Sequence, residues 1–495
     1  MGLYFAKSPS MLIRSFIKTD FGFRPVQVEV VLVPGVSQIQ ILGLADQVIK
    51  ESSKRILSAL RHQGFRVPPG KQVLVNLYPH DLRKSSQGLD LAIAMGILIE
   101  SEQIKDFPFD FNKDYVYGSL SLKGDVQCPE DLNLLNYENF QHTVLMGPSS
   151  DQFRFTQLEI HSLSEWQNSS TQDPQENLFE CKEHSINKNL FFHPKLARLM
   201  SLVALGEHPL LIAGYAGSGK TTTVENLAKI LNLPEEKLFL EAKKYWKLIG
   251  RDLFNRPIVQ PHHSATPISM IGGGRPLKFG EISLAHGGAL ILDELLEFHP
   301  LVQSALREPM EKGVIHLARA GTRGIFPANM LVLATTNLCP CGNFQPGATY
   351  QCQCSSLKLR NYIEKLTGPF LDRFCIFYLH EKSQTDLKIS LMDIKEEIKT
   401  AKEFQIKSRK QLKVNQKLLV SEIMEQLDES ITEAFIPFSK SHRRRQSLLR
   451  VARSLADLEA SERIKQNHLE EAQAWTASDI YKLERFRAED FAMRQ

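Results

Sequence analysis

The chain has 495 residues, 42% hydrophobic and 23% charged, with a formal net charge of +4; this length predicts about three domains of a soluble globular protein, and the charge is too small to demand a nucleic-acid partner. No apolar run reaches the length of a membrane span and the first residues lack the order of a secretory signal, so the expectation is a cytoplasmic protein with no membrane partner. Seven cysteines, an odd count with two tight pairs, argue against a disulfide framework.

Residues 1–166 alternate strand and helix signals. Val26 to Val33 and Gln38 to Leu42 read as two strands paired across the Pro34-Gly35 turn. Val48, Ile49, Ile56, Leu57 and Leu60 fall at helical spacing on one face of a helix predicted from Ala45 to Gln63. Lys71 to Leu77 reads as a further strand and Leu89 to Ile99 as a buried helix, which together make an α+β domain with its own core. Three stretches of it, Gly43 to Glu51, Val75 to Lys84 and Leu89 to Ile97, resemble the amino-terminal domain of YifB/ComM-type magnesium-chelatase-like AAA+ proteins. The resemblance implies a domain similar in fold to the proteolytic domain of Lon (ribosomal S5 domain 2-like). Lon proteases use a serine nucleophile with a lysine base, and the hydroxyl needs both. Set in register through Lys84 and Gly118, the serine position falls on Gly88 and the lysine position on Asn133, so the domain is expected to be proteolytically inactive. Ser85 and Ser86, without a placed base, read as loop hydroxyls.

Residues 167–189 turn polar and read as a linker. The nucleotide-binding region is predicted over 190–380. Gly214, Tyr215, Ala216, Gly217, Ser218, Gly219, Lys220 and Thr221 make the pattern G-x-x-x-x-G-K-[ST], entered by a short buried strand from His208 to Ala213 and left by a helix from Thr221 to Leu231. The glycines let backbone N–H groups converge on phosphate oxygens at a helix N-terminus, Lys220 reaches the β- and γ-phosphates of ATP, and the Thr221 hydroxyl helps hold Mg2+. Gly288 to Glu294 is a second buried strand, ending in two acids. Asp293 is assigned to Mg2+ and Glu294 to the attacking water. Between these landmarks, Gly272, Gly273 and Gly274 predict a mobile loop. The run from Pro261 through this loop to Leu295 is where the YifB/ComM likeness is strongest. In related hexameric motors the equivalent insertion faces the pore, which makes His262 and His263 candidates for contact with a threaded polymer or a neighbouring subunit, against a reading as structural loop histidines.

Gly313 to Pro327 reads as a β-hairpin whose tip carries Arg319 and Arg323. The resemblance places it at the pore-facing hairpin before sensor 1, where two arginines can pair with DNA phosphates; a solvated tip is the alternative. Leu331 to Asn337 is a third buried strand, and Asn337 stands at the sensor 1 position. Cys339 and Cys341, then Cys352 and Cys354, are two C-x-C pairs that offer four thiolates to one tetrahedral ion such as Zn2+, or remain free thiols. By resemblance Arg373, in Leu371-Asp-Arg-Phe374, is an arginine finger acting on a neighbouring subunit's site, which implies a ring; a structural arginine is the runner-up. Residues 381–495 read as a helical lid, by resemblance the magnesium-chelatase C-terminal domain. An apolar face carrying Leu448, Leu449, Val451, Ala452, Leu455 and Ala456 marks a helix from Ser441 to Leu458, and by resemblance Arg443 is its sensor 2 contact to the γ-phosphate.

The fold class expected is therefore α/β, a P-loop AAA+ core with a helical lid, preceded by the Lon-like α+β domain. ComM-type relatives are hexameric helicases that extend branch migration during recombination of incoming DNA in natural transformation, so the resemblance implies a homo-hexameric ATPase motor acting on DNA. The alternative is a magnesium-chelatase-like or protein-remodelling AAA+ ATPase. Glu294, Asn337 and Arg373 argue against a non-hydrolytic scaffold. The sequence departs from the family pattern at Tyr215-Ala216, where Pro-Pro is usual, and at Leu190 to Lys195, which replaces the Asp-Val-x-Gly-Gln segment that borders the adenine.

Overall fold

The computed structural model describes residues 11–19, 22–42, 47–79, 87–105, 107, 109–138, 140–175, 180–274, 278–319, 322–344, 352–365, 370–380, 387–431 and 442–478, without the side chains of 11, 47–50, 318–319, 322–323, 356, 360 and 363. The chain divides into two units, Met1–Glu180 with Lys243–Asp252, and Cys181–Ala242 with Leu253–Gln495.

In the first unit Val26, Val28 and Val30 alternate inward along Gly22–Pro34, as a strand with one covered face requires. It pairs antiparallel with Met11–Thr19 on one side and Lys71–Tyr78 on the other. Ile39–Leu42 joins beyond Lys71–Tyr78, parallel to it. The hairpin expected between Val26–Val33 and Gln38–Leu42 is therefore not formed: Lys71–Tyr78 lies between the two strands, and Gln47–His62 is the crossover helix that a parallel pair needs. Helix Asp90–Glu100 is buried from Asp90 to Leu98 and packs so closely on the sheet that a Cβ at Gly96 would stand 2.5 Å from Val30. A second sheet, Ser170–Gln172, Gln157–Glu159, Val144–Met146 and Tyr115–Val116, covers an aromatic cluster that includes Phe16, Tyr117, Phe153 and Phe155.

The segment 167–189, expected as a linker, is structured in part. Ser170–Gln172 pairs with Gln157–Glu159, and the Gln172 amide donates to Glu159 Oε2 at 2.9 Å. Its polar composition belongs to an exposed edge strand. Lys244 in turn pairs with Glu138 at 2.6 Å, and Leu248 packs on the aromatic cluster, which assigns Lys243–Asp252 to this unit. Lys84, Ser85 and Ser86 lie outside the described residues. At Gly88, the expected serine position, a Cβ would stand 2.1 Å from the Tyr117 ring, so no side chain fits there. Asn133 lies in the 3-10 helix Glu130–Tyr137.

The second unit is built on five parallel strands in the spatial order Ile258–Val259, Ala289–Leu292, Leu331–Thr336, Leu210–Ala213, Ile376–Leu379. Leu210–Ala213 is buried at every position, the continuous apolar run of a strand covered on both faces. It is the first of the five in the chain and lies between the fourth and the fifth, which makes its carboxyl end a topological switch point, where ligands of open α/β sheets bind.

The segments on either side of the boundary expected at 380/381 belong to this one unit. Helices Pro194–Gly206, Leu391–Lys407 and His442–Leu458 share one apolar cluster with the strands, through Leu199, Ile212, Ile394, Leu449 and Leu455 among others. Ser441, the expected start of the last of these helices, lies outside the described residues. A buried polar network crosses the same boundary. His208 lies 2.8 Å from Ser454 Oγ and 3.0 Å from Gln416 Oε1. Asn415 donates to Ser454 Oγ and to Asp457 Oδ2, both at 2.8 Å, and Asp457 also holds Arg453 at 2.9 Å. No described helix is long and apolar enough to cross a membrane.

Burial pushes the His208 imidazole down from the usual 6.5 to about 4. The folded state keeps it neutral while the unfolded chain takes up a proton, so this stability is complete above pH 6.5 and is lost as pH falls toward 4. Lowering the pH from about 7.5 to about 5 is expected to remove about 2 kcal/mol through this group. Chemical denaturation at both values should show a flatter pH slope for His208→Gln, and an equal slope would contradict the assignment.

Candidate functional site

Between Ala213 and Lys220 the chain turns from strand to helix, which Gly217 and Gly219 permit at φ of +76° and +85°. Nothing lies within 4 Å of a Cβ placed on either, so the turn encloses an open cradle at the start of helix Lys220–Lys229. The first backbone N–H groups of a helix have no partners within it and suit an anion. Ser218 Oγ is buried and has no hydrogen-bond partner among the described residues. Lys220 Nζ donates to Gly214 O at 3.2 Å, Tyr215 O at 2.8 Å and Asn337 Oδ1 at 3.2 Å. Burial draws its pKa below the ordinary lysine range, opposed by Asp293 and Glu294. A desolvated ammonium satisfied by neutral oxygens, an orphan hydroxyl and an open glycine cradle fit a polyphosphate.

The neighbouring strands bring the acids to the same edge. Thr221 Oγ1 donates to Asp293 Oδ1 at 3.0 Å, and the Thr335 hydroxyl donates to that same oxygen. Thr335 Oγ1 also accepts from Glu294 N at 3.2 Å. A hard oxygen set from Thr221 and Asp293 fits Mg2+. Thr335 was missed in the sequence; its signal was a polar residue at the end of an apolar strand, two positions before Asn337. Glu294 has φ +54° and ψ +51°, a left-handed conformation that strains a non-glycine residue by about 1–3 kcal/mol. His263 Nδ1 lies 3.7 Å from Glu294 Oε2, and His262 Nδ1 is 2.8 Å from Ser264 Oγ. His263, considered as a pore or interface contact, thus stands beside the residue assigned to the attacking water.

The triple glycine is not irregular throughout. Gly272 and Gly273 pair with Phe279 and Lys278, with positive φ at Gly272, Gly273 and Gly274, while residues 275–277 lie outside the described set. Strands Val314–Arg319 and Thr322–Pro327 form the expected hairpin, with Ala318 opposite Arg323 and Arg319 opposite Thr322. Ala320, Gly321 and the side chains of Arg319 and Arg323 lie outside the described residues, as do 366–369, just before Arg373.

Arg373 and Arg443 form a second group. Arg373 pairs with Glu311 Oε1 at 2.6 Å, and Arg443 pairs with the same oxygen at 2.5 Å. Arg444 explains this placement: it donates to Leu371 O at 3.2 Å and Phe374 O at 3.3 Å, fixing the start of helix His442–Leu458 against the segment Leu371–Phe374. Arg443, expected at the γ-phosphate, is thereby joined to Arg373 and not to the contacts of Lys220.

The atypical segment from Leu190 builds a wall of rings and cations. Phe191–Phe192 pairs with Ile389–Ser390, His193 Nδ1 accepts from Lys195 N at 3.2 Å, and Lys195 Nζ stands 5.3 Å from the Tyr378 ring centre. The His380 ring lies 6.1 Å from Tyr378 and 6.4 Å from Tyr215.

Cys339, Cys341, Cys352 and Cys354 converge, with all four sulfurs within 4.8 Å of one another. Cys339 and Cys341 are 3.3 Å apart and Cys341 and Cys352 3.7 Å, too long for a disulfide at about 2.05 Å. Tetrahedral zinc thiolates stand about 3.8 Å apart. Phe344 N donates to Cys339 Sγ at 3.1 Å. Burial raises the Cys339 thiol to about 12, whereas the Asn343 N–H lowers Cys341 to about 6. Four sulfurs with backbone donors fit a soft tetrahedral ion.

Residues 188–387 match the family described as magnesium chelatase, subunit ChlI; 28–137 match subunit ChlI of Mg-chelatase; 389–488 match the ChlI C-terminal family. The chain is 30% identical over 488 residues to YifB of Escherichia coli (strain K12), covering 92% of this chain and 94% of that protein. The chain belongs to the YifB/ComM family of magnesium-chelatase-like AAA+ proteins. It is also 30% identical over 486 residues to competence protein ComM of Haemophilus influenzae, covering 91% of this chain and 94% of that protein. YifB of Salmonella typhimurium is 29% identical over 489 residues, at 92% and 94% coverage. Membership in the YifB/ComM family supports an AAA+ ATPase and suggests ATP and Mg2+ as its ligands.

Thr335→Val keeps the shape of a fully buried side chain and removes the hydroxyl from Asp293 and Glu294. ATP hydrolysis titrated with Mg2+ is expected to fall about 10–100-fold or to need correspondingly more metal, and a wild-type titration would contradict this role.

Proposed function

We propose that this YifB/ComM protein is an ATP-hydrolysing ring motor that remodels DNA, as a helicase or branch-migration factor. The observation that carries the reading is the convergence of Lys220, Thr221, Asp293 and Asn337 at one edge of the parallel sheet, with Glu294 beside them. In this reading the N–H groups of Gly214 to Thr221 and the Lys220 ammonium bind the triphosphate of ATP, and Thr221 with Asp293 holds Mg2+. A bound Mg2+ would neutralise phosphate charge. Glu294 takes the proton of the attacking water, and Asn337, held by Lys220, senses the γ-phosphate. Arg373 and Arg443, both paired with Glu311, serve the site of a neighbouring subunit, which closes a head-to-tail ring, a hexamer in this family.

The hairpin that carries Arg319 and Arg323 is the proposed DNA contact; a relative named competence protein ComM supports a role in competence, and recombination of incoming DNA during natural transformation is the role proposed here. The first unit is read as a Lon-like domain without peptidase activity, supported by the Tyr117 ring against Gly88. In the AAA+ unit, 190–380 is the nucleotide-binding core and 381–495 the lid. Cys339, Cys341, Cys352 and Cys354 hold one zinc ion, and the protein works in the cytoplasm. The match to magnesium chelatase subunit ChlI favours a second reading, a chelatase-like or protein-remodelling ATPase.

The ATPase rate against branched, single-stranded and duplex DNA, and without DNA, separates them. Branched DNA is expected to stimulate hydrolysis, and Glu294→Gln to lower the rate about 10²–10⁴-fold. Hydrolysis indifferent to every DNA but stimulated by a protein partner would replace the DNA reading with the second one.

A further inference from the structure

The cysteine loop is tied to the phosphate cradle on its leading flank and to the turn after Glu294 on its trailing one. Asn337, which accepts from Lys220, is followed at once by Leu338 and Cys339, both 0% exposed. The chain then turns at Gly342, whose N–H donates to Cys339 O at 3.0 Å and whose carbonyl accepts from Ala216 N, in the P-loop, at 2.7 Å. Gly342 has φ +77°, and a Cβ there would stand 2.9 Å from Ala216 Cβ, so the two loops meet at van der Waals range. After Cys352 and Cys354 comes helix Ser356–Glu364, whose Tyr362 hydroxyl donates to Glu297 Oε1 at 3.1 Å, in the turn that follows Glu294.

Pro340, Cys341 and Asn343 are exposed, so apolar burial at Leu338, Cys339 and Phe344 leaves the turn between them to other forces. The sulfurs are within ligating reach of each other, and in such loops the binding energy of the ion is the folding energy of the chain around it.

We infer that a zinc ion on Cys339, Cys341, Cys352 and Cys354 holds the P-loop in its ATP-binding form through the Gly342–Ala216 hydrogen bond, so that loss of the ion weakens ATP binding. This rests on the zinc reading of the four sulfurs. Without the ion the turn at Gly342 opens, Ala216 N loses its acceptor, and the fraction of P-loops competent for phosphate falls. The apparent Kd rises as the inverse of that fraction.

The test uses the full chain purified without chelator under anaerobic conditions. Zinc is counted by elemental analysis, and the affinity for N-methylanthraniloyl-ATP is measured in excess Mg2+ before zinc removal by a zinc-selective chelator, after it, and after zinc is restored. One zinc per chain is expected, with about tenfold weaker nucleotide binding on removal and recovery on restoration. Gly342→Ala keeps all four sulfurs and is expected to retain zinc while binding the nucleotide about tenfold more weakly. Absence of stoichiometric zinc overturns both the zinc reading and this inference. One zinc per chain, with an affinity unchanged by its removal, overturns this inference and leaves the zinc reading standing. If removal unfolds the chain by circular dichroism, Gly342→Ala decides: zinc retained with wild-type affinity overturns the coupling.

Discussion

A lysine ammonium held almost out of water by neutral oxygens is the constraint on which the second unit turns. Lys220 is 7% exposed and its described hydrogen bonds go to two backbone carbonyls and the Asn337 amide. Burial of the ammonium is opposed in part by Asp293 and Glu294, and its hydrogen bonds to neutral oxygens suit it to take up an anion. Everything around it serves to keep that position open. Leu210–Ala213 is fixed between Leu331–Thr336 and Ile376–Leu379, so the loop that follows it is flanked by Asn337 on one side and His380 on the other. Gly214 is forced by this crowding, since a Cβ would come within 2.9 Å of His380 Cβ.

The acids arrive by the same geometry. Asp293 ends the strand next to that of Thr335, so one hydroxyl orders both carboxylate neighbours: it donates to Asp293 and accepts from the backbone of Glu294. The left-handed backbone at Glu294 is held by that contact and by the turn after it. Rigidity of this kind needs a rigid base, and the buried network of His208, Ser454, Asn415 and Asp457 supplies one by locking the helix His442–Leu458 onto the segment that leads into the P-loop strand. The segments before and after residue 380 consequently share one apolar cluster.

What was legible in the sequence was local. The P-loop, the strand ending in Asp293-Glu294 and the strand ending in Asn337 are each recognised from a few adjacent residues, and the sheet brings all three together because parallel strands share a carboxyl edge. The four cysteines lie on one short stretch whose spacing offered either one metal site or free thiols, and the structure brings their sulfurs together. What escaped depends on partners far along the chain. Nothing near Val26 or Gln38 announces that Lys71–Tyr78 separates their strands. The polar run at 170–172 looks like a linker until Gln157–Glu159 pairs with it. Arg443 sits where Arg444 anchors it, on carbonyls of Leu371 and Phe374, about seventy positions away. Thr335 acts through two residues of another strand, and His263 approaches Glu294 across a stretch whose glycines obscure its path.

The account stands on Lys220 binding the phosphates of ATP. Calorimetric titration of the wild-type chain and of Lys220→Ala with ATP in the presence of Mg2+ tests this most directly. The account predicts saturable binding by the wild type and an affinity lower by about 10–100-fold in the variant, with folding preserved by circular dichroism. Equal affinity in a folded Lys220→Ala chain would contradict it.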